Sequence, residues 1–204
     1  MSHALATPSL ELLCGGAEFF PSLVAAIDGA EREVLIETYI FDVADAGEHV
    51  AQALIRAAQR GVAVRLLIDG AGTGALPSPW AERLARAGVD CRVFSPLNFW
   101  HLFGFWRPSR WRRLHRKLCA IDARVAFCGG INLIDDWREL GSTQRLRAPR
   151  LDYAVRITDR TLVRAIVDTM SQLWARLDVV QELRSHDVQG LFDALPADLP
   201  VSVE

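Results

Sequence analysis

Strand-like and helical segments alternate in the first half of this chain, and that order leaves few folds open. Residues 34–41 and 62–69 are near-continuous apolar runs, and residues 89–94 form a third strand-like segment. Between them, residues 47–60 and 79–87 have helical periodicity, and each is followed by glycine, a common residue just beyond a helix end. A β-α-β-α-β order predicts a parallel sheet covered by helices.

The second half continues the α/β pattern with shorter strands. Residues 114–121 and 124–128 predict two strands around a tight turn, and residues 151–158 predict another. Residues 159–177 predict a long amphipathic helix, and a short helix is expected to begin near Asn132. We therefore expect an α/β fold.

Length and composition indicate one globular domain. With 204 residues the chain has room for one medium-sized core, which we place in residues 1–177, with a linker-like tail in residues 178–204. The net charge of −2 is unlike that of most nucleic-acid-binding domains. The four cysteines contain no C-x-x-C pair, so we expect free thiols and a reducing compartment.

No segment is apolar enough over its length to predict a membrane-spanning helix, and residues 1–13 lack the pattern of a signal peptide. Any membrane contact is therefore expected to be peripheral.

Lys117 is the only lysine among the 23 Lys and Arg residues. Because arginine stands at every other basic position, we expect Lys117 to occupy a tight site that needs a compact charge with three rotatable donors. It belongs to an H-x-K-x4-D pattern made by His115, Lys117 and Asp122, which is followed by Gly129–Gly130 and Asn132.

This pattern is typical of phosphoryl transfer through a phosphohistidine. Residues i and i+2 of a strand point the same way, so His115 and Lys117 can share one phosphate. The imidazole can attack phosphorus and later leave, while the ammonium neutralises the phosphate oxygens. Gly130 permits close backbone approach, and the Asn132 amide can donate to phosphate beside a helix terminus. Asp122, at the turn, fits a structural or orienting role better than nucleophilic attack.

No cluster of His, Cys, Asp or Glu has metal-ligand spacing. We expect neither a metal nor another cofactor, because Lys117 supplies the cation that a metal would otherwise provide.

The run from Leu114 to Asn132 resembles the first catalytic motif of bacterial cardiolipin synthases of the phospholipase D superfamily. Further similarity lies in residues 36–41, 60–64, 67–70 and 152–156, and it is closest to the subgroup without N-terminal spanning helices. The resemblance implies an α-β-α sandwich with a mixed, largely parallel sheet. It also implies that residues 1–177 form a catalytic half-domain that transfers a phosphatidyl group without a metal.

The resemblance also implies roles for the motif residues. His115 would be the nucleophile or the acid/base, and Lys117 and Asn132 would bind phosphate. Asp122 would organise the site. Asp152 matches the acidic residue that the family pairs with its histidine, where it would hold the ring tautomer; the alternative is an ordinary acid at a strand edge.

Two further acids remain open from the sequence alone. Glu37 lies inside an apolar strand, where it is either a pocket carboxylate near the substrate or the partner of a buried arginine. Asp69 ends a predicted strand, where it either belongs to the site or caps a helix. The glycine-rich segment 70–74 lacks the phosphate-loop pattern, so we interpret it as an ordinary loop.

Residues 94–113 combine aromatic residues with arginines and contain no acidic residue. Trp100, Phe103, Trp106 and Arg107 suit the boundary between acyl chains and anionic headgroups, so we predict membrane contact there. A loop folded on the core and a platform for single-stranded nucleic acid are the alternatives. The predicted partners are an anionic, phosphatidylglycerol-like phospholipid and the cytoplasmic face of the cell membrane.

The chain departs from the family in having one H-x-K motif where the resembled enzymes have two. A second histidine is needed to protonate the departing alcohol. A homodimer or a separate chain would provide it, and without either the chain would be an inactive lipid-binding remnant. The leading hypothesis is one half of a phosphatidyltransferase that makes cardiolipin; the alternative enzyme is a homodimeric phosphodiesterase or nuclease.

Overall fold

The computed structural model describes residues 9–94, 113–139, 141–142 and 144–185. The strands are β1 (Leu10–Cys14), β2 (Glu33–Thr38), β3 (Ala63–Asp69), β4 (Asp90–Phe94), β5 (Leu118–Ile121), β6 (Val125–Gly129) and β7 (Tyr153–Ile157). The helices are α1 (Gly15–Asp28), α2 (Ala46–Gln59), α3 (Ser78–Ala87) and α4 (Arg160–Ser185).

The strands form one mixed sheet in the order β1-β7-β6-β5-β2-β3-β4. Strand β3 pairs in parallel with β2 and β4, as the β-α-β-α-β order predicts. The pairs β2–β5, β5–β6, β6–β7 and β1–β7 are antiparallel. The predicted α/β fold with a mixed sheet is therefore confirmed, although the sheet is less parallel than expected because β5 and β6 form a hairpin.

The main hydrophobic core joins the sheet to helices α1 and α2. Leu23 and Ile27 of α1 and Leu54 of α2 are fully buried in one cluster with Ile36 of β2 and Leu66 of β3. Burying a side chain of this size contributes about 1.5–3 kcal/mol. This packing buries β2 and β3, and β2 pairs with β5, the central strand of the sheet, which follows the H-x-K segment.

Three local predictions differ from the structure. His115 and Lys117 lie just before β5, where they were predicted to lie within the strand. The segment after Gly130 forms turns and an isolated bridge between Phe41 and Leu133, so the helix predicted near Asn132 is wrong. Helix α4 continues to Ser185, past the predicted end of this helix at residue 177.

The chain divides into a unit that ends at Val167 and a second unit that begins at Asp168. All described strands belong to the first unit, and the described residues of the second unit are helical. Within the described ranges, no helix has the length and apolar character needed to cross a membrane.

Candidate active site

His115 and Lys117 meet at the end of the sheet where β5 begins. The Nζ atom of Lys117 lies 3.2 Å from Nε2 of His115. His115 is exposed and Lys117 is half-buried, so a ligand can approach the imidazole while the ammonium is partly screened from water. The structure thus brings together the two side chains that the motif predicts to share a phosphate.

The hydrogen bond between the two side chains fixes the state of the ring. A lysine ammonium can only donate, so Nε2 of His115 accepts and the neutral ring carries its proton on Nδ1. Burial lowers the pKa of Lys117, while the charge of Asp152 acts to raise it. The pair therefore places an acceptor nitrogen of the imidazole beside a compact cation.

Asp152 immediately precedes β7, and Gly130 makes room for it. A Cβ atom added to Gly130 would overlap Oδ1 of Asp152, which accepts a hydrogen bond from the N–H of Tyr153 at 2.8 Å. No hydrogen bond joins Asp152 to His115 in the described part of the chain, so the predicted pairing with the histidine stays a prediction. The structure places the charge of Asp152 close enough to act on Lys117.

Gly130→Ala is therefore expected to displace Asp152 and reduce phosphoryl transfer by about 10²-fold, the usual cost of a misplaced site group. The rate of the first displacement at His115 and the melting temperature should be compared with those of Gly29→Ala. A Cβ atom at Gly29 would make only ordinary contacts, so that variant is the matched control. A parent-like rate in folded Gly130→Ala would contradict this role of the glycine.

Tyr39 is a site residue that the motif did not indicate. Its ring centroid lies 5.1 Å from that of His115, and Nζ of Lys117 lies 5.5 Å from the same Tyr39 centroid. Tyr39 follows the end of β2 and is half-buried. Its position in the strand-like run 34–41 was visible in the sequence, but its contact partners lie more than seventy residues away.

Asn132 lies in an irregular segment, where its side chain is oriented by the backbone of the segment that follows β2. Its Oδ1 atom accepts from the N–H of Ile40 at 3.1 Å, so its NH₂ group stays available as a donor. The predicted neighbouring helix terminus is absent from this segment. A different helix end, that of α1, donates from the N–H of Gly15 to the backbone oxygen of Asp152 at 2.9 Å.

Glu37 is buried and paired with an arginine, but that arginine is exposed and not buried as the sequence had suggested, and the role of Glu37 near a substrate stays a prediction. It is 3% exposed and borders a small cavity that Lys117 also lines. Burial raises the pKa of Glu37 to about 7, although Arg116 acts to lower it. Nη1 of Arg116 lies 3.4 Å from Oε2 of Glu37, and the arginine side chain is 41% exposed.

Asp122 lies at the other end of β5 from His115 and Lys117. Its carboxylate accepts from the N–H groups of Glu31, Arg32 and Glu33 at 2.8–2.9 Å, at the start of β2. Burial alone would raise the pKa of Asp122, but these donors hold it below its usual value. The structure therefore gives the third motif residue a position that fastens β5 to β2, away from the His115 ring.

Trp100, Phe103, Trp106 and Arg107, the predicted membrane contacts, lie outside the described residues. The four cysteines are free, with Cys119 buried and the other three exposed. In the described ranges, no group of three or more His, Cys, Asp or Glu side chains is arranged to hold a metal ion.

A family model described as "Cardiolipin synthase, PLD-like domain" matches residues 23–174. The chain belongs to this family. The matched span contains the His115–Lys117 pair, Asp152 and Tyr39, so the site described above lies within the cardiolipin synthase, PLD-like domain.

Relatives of this PLD-like domain carry the same name. Cardiolipin synthase B of Escherichia coli is 36% identical over 148 residues, which are 72% of this chain and 34% of that protein. Probable cardiolipin synthase YwiE of Bacillus subtilis is 35% identical over 125 residues, 61% of this chain and 24% of that protein. The chain therefore spans about a third or less of the length of these curated relatives.

Solved structures have the same PLD-like fold. The phospholipase D family member Nuc from Salmonella typhimurium has a TM-score of 0.57 at 20% identity, over 81% of this chain and 95% of that chain. Phosphatidylserine synthase from Haemophilus influenzae has a TM-score of 0.60 at 19% identity, over 82% of this chain and 37% of that chain. At these identities the likeness supports the fold alone.

Proposed function

We propose that this chain is one catalytic half of a phosphatidyltransferase that makes cardiolipin through a phosphohistidine. The observation that carries the proposal is the 3.2 Å contact between Nζ of Lys117 and Nε2 of His115. It joins a nucleophilic nitrogen and a cation within one phosphate's reach, inside a cardiolipin synthase, PLD-like domain.

In the first step, Nε2 of His115 attacks the phosphorus of a phospholipid, forming a P–N bond as the P–O bond to the headgroup alcohol breaks. Lys117 turns from the imidazole to the non-bridging oxygens, where it stabilises the charge that develops. The NH₂ group of Asn132 is a second donor for these oxygens. The departing alkoxide takes a proton from an acid outside this motif.

In the second step, a hydroxyl of phosphatidylglycerol attacks the phosphohistidine. A new P–O bond forms, the P–N bond breaks, and the hydroxyl proton passes to the group that protonated the first alcohol. The proton on Nδ1 of His115 stays in place throughout, and we assign to Asp152 the task of holding it.

The acid/base of both steps comes from a second motif-bearing half. His115 cannot carry the phosphatidyl group and protonate the leaving alcohol in the same step. The relatives are about three times as long as the segment that they share with this chain, which supports a larger functional unit. We propose that a second copy or a separate chain supplies the missing half, at the surface of an anionic phospholipid membrane.

The isolated chain is therefore expected to perform the first step only when the leaving group needs no proton. Bis(p-nitrophenyl) phosphate releases nitrophenolate without an acid, so a burst of no more than one equivalent per chain should appear. The same preparation should make little or no cardiolipin from phosphatidylglycerol. Both assays should be run on fractions sized by light scattering.

Each outcome of this pair of assays is informative. Absence of the burst would contradict a phosphohistidine on this chain. Multiple-turnover cardiolipin synthesis by a strict monomer would mean that another residue of the chain serves as the acid. Rapid cleavage of single-stranded DNA by a dimeric fraction, without phosphatidyl transfer, would favour a nuclease.

The nitrophenolate burst is also expected to survive EDTA. Lys117 lies where a divalent cation would otherwise neutralise the phosphate oxygens, so the first step requires no metal. The burst should be measured after dialysis against the chelator and again after adding Mg²⁺ or Zn²⁺. Loss of the burst with chelator and its return with either ion would contradict the assigned role of the lysine.

A further inference from the structure

Asp69 is a fully buried carboxylate at the end of β3 that the proposed chemistry does not use. Its two oxygens bind two different parts of the chain. Oδ1 accepts from the N–H groups of Ala71 at 2.7 Å and Gly72 at 3.0 Å, in the glycine-rich loop after β3. Oδ2 accepts from the buried N–H of Leu114 at 2.7 Å, one residue before His115.

The loop that Asp69 organises in turn holds Tyr39. Oγ1 of Thr73 donates to the backbone oxygen of Tyr39 and accepts from the N–H of Phe41, both at 3.0 Å. A Cβ atom added to Gly72 would overlap the backbone oxygen of Tyr39, so this residue must be glycine for the loop to lie so close. Thr73 thus holds the backbone oxygen of Tyr39 and the N–H of Phe41, two residues further along the chain.

The two groups of hydrogen bonds made by Asp69 lead to Tyr39 on one side and to His115 on the other, and the rings of these two residues are in contact. The loop fixes Tyr39, the Leu114 bond fixes the backbone entering His115, and the two ring centroids lie 5.1 Å apart at an angle of 53°. We propose that Asp69 is a positioning residue that sets the His115 imidazole against the Tyr39 ring, with Nε2 directed at Lys117. The importance of this ring position for catalysis rests on the proposed function, but the positioning of the ring by Asp69 does not.

Asp69→Asn tests the arrangement with little change in size. An asparagine has one oxygen, so either Leu114 or the loop would face an NH₂ group where it now meets an acceptor. The matched control is Asp159→Asn. Oδ1 of Asp159 also accepts hydrogen bonds from two backbone N–H groups, those of Thr161 and Leu162 at 3.0 Å. Asp159 lies at the start of α4, after the end of β7, whereas the site residue Asp152 lies before the start of β7.

The readout is the ring of His115 itself, by NMR of protein labelled with ¹⁵N-histidine, with its signals assigned by their loss in His115→Asn. In the parent we expect one tautomer, protonated on Nδ1, and a shift of these signals when inorganic phosphate is added. Asp69→Asn is expected to mix the tautomers and to weaken phosphate binding about tenfold, whereas Asp159→Asn leaves both unchanged. Signals and phosphate affinity within twofold of the parent in folded Asp69→Asn would overturn the proposal.

Tyr39→Leu keeps the test decisive if Asp69→Asn does not fold. Tyr39 is only half-buried, and leucine removes the ring against which the imidazole rests. The same change of His115 signals is expected, with Tyr39→Phe close to the parent, and an unchanged spectrum in Tyr39→Leu would overturn the proposal. If the parent shows no nitrophenolate burst but its His115 signals change in the variants, the proposed function alone is refuted. If the parent shows the burst but its His115 signals are the same in the variants, the positioning role alone is refuted.

Discussion

Replacing His115 with asparagine is expected to abolish the nitrophenolate burst and to lower phosphatidyl transfer by at least about 10³-fold, as loss of a covalent nucleophile does elsewhere. Asparagine keeps a polar side chain of similar reach but has no nitrogen that can attack phosphorus and then leave. The burst amplitude should be measured with the isolated chain. Phosphatidyl transfer should be measured with the chain together with the second motif-bearing half, a second copy or a separate chain.

The fold of the His115→Asn protein should be unchanged, because His115 is exposed and its contacts are with the side chains of Lys117 and Tyr39. His49→Asn is the matched control, since His49 is an exposed histidine of α2 outside the H-x-K pattern. A melting temperature close to that of the parent would establish a folded variant. Full burst amplitude in such a protein would refute the phosphohistidine mechanism.

The sequence predicted those parts of the fold that depend on neighbours along the chain. The apolar runs of β2 and β3 and the periodicity of α2 and α3 are local patterns, and the structure has all four elements. Their bounds lie within one residue of the prediction, except that β2 ends at Thr38, three residues before the predicted end. The hairpin of β5 and β6 was also predicted from its short turn. The hairpin makes this half of the sheet antiparallel, whereas a largely parallel sheet was expected.

Features that depend on distant pairing were missed. Strand β1 has only five residues, and its partner β7 begins at Tyr153, so its pairing cannot be recognised from the residues around position 10. Leu10 and Leu12 are exposed, so the apolar residues of this short segment do not mark a face turned to the core. Helix α4 also runs past its predicted end at residue 177, although this extension is local, because the segment after Leu177 contains no glycine or proline before Ser185.

The candidate site was predicted unevenly for the same reason. The spacing of His115 and Lys117 is local, and the structure places them in contact. The spacing of Asp122 is equally local, but its partners are the N–H groups of residues 31–33, which no motif spacing can indicate. Asp69 binds the N–H of Leu114, and the Tyr39 ring lies against His115. Both contacts join residues that are more than forty positions apart in the chain, so the place of Asp69 and Tyr39 in the site required the structure.

Lys117→Arg is expected to lower both the burst rate and phosphatidyl transfer by about 10²-fold, although the charge is kept. The ammonium lies 3.2 Å from Nε2 of His115 and is half-buried beside Asp152. A guanidinium is planar and wider, so it cannot occupy this position without moving the imidazole or the carboxylate. The matched control is Arg124→Lys, the reverse exchange at a side chain that is 68% exposed, which should leave the rates unchanged.

The pH dependence separates the charge of Lys117 from its shape. Burial lowers the pKa of Lys117, and the protonated form is the active one, so the parent's rate should fall as pH rises through a value below that of a free lysine. Arginine stays protonated over this range, so Lys117→Arg should be slow at every pH and lack this alkaline decline. A variant with a rate within twofold of the parent at neutral pH would refute the need for a compact ammonium. An equal alkaline decline in both proteins would mean that a group other than Lys117 titrates.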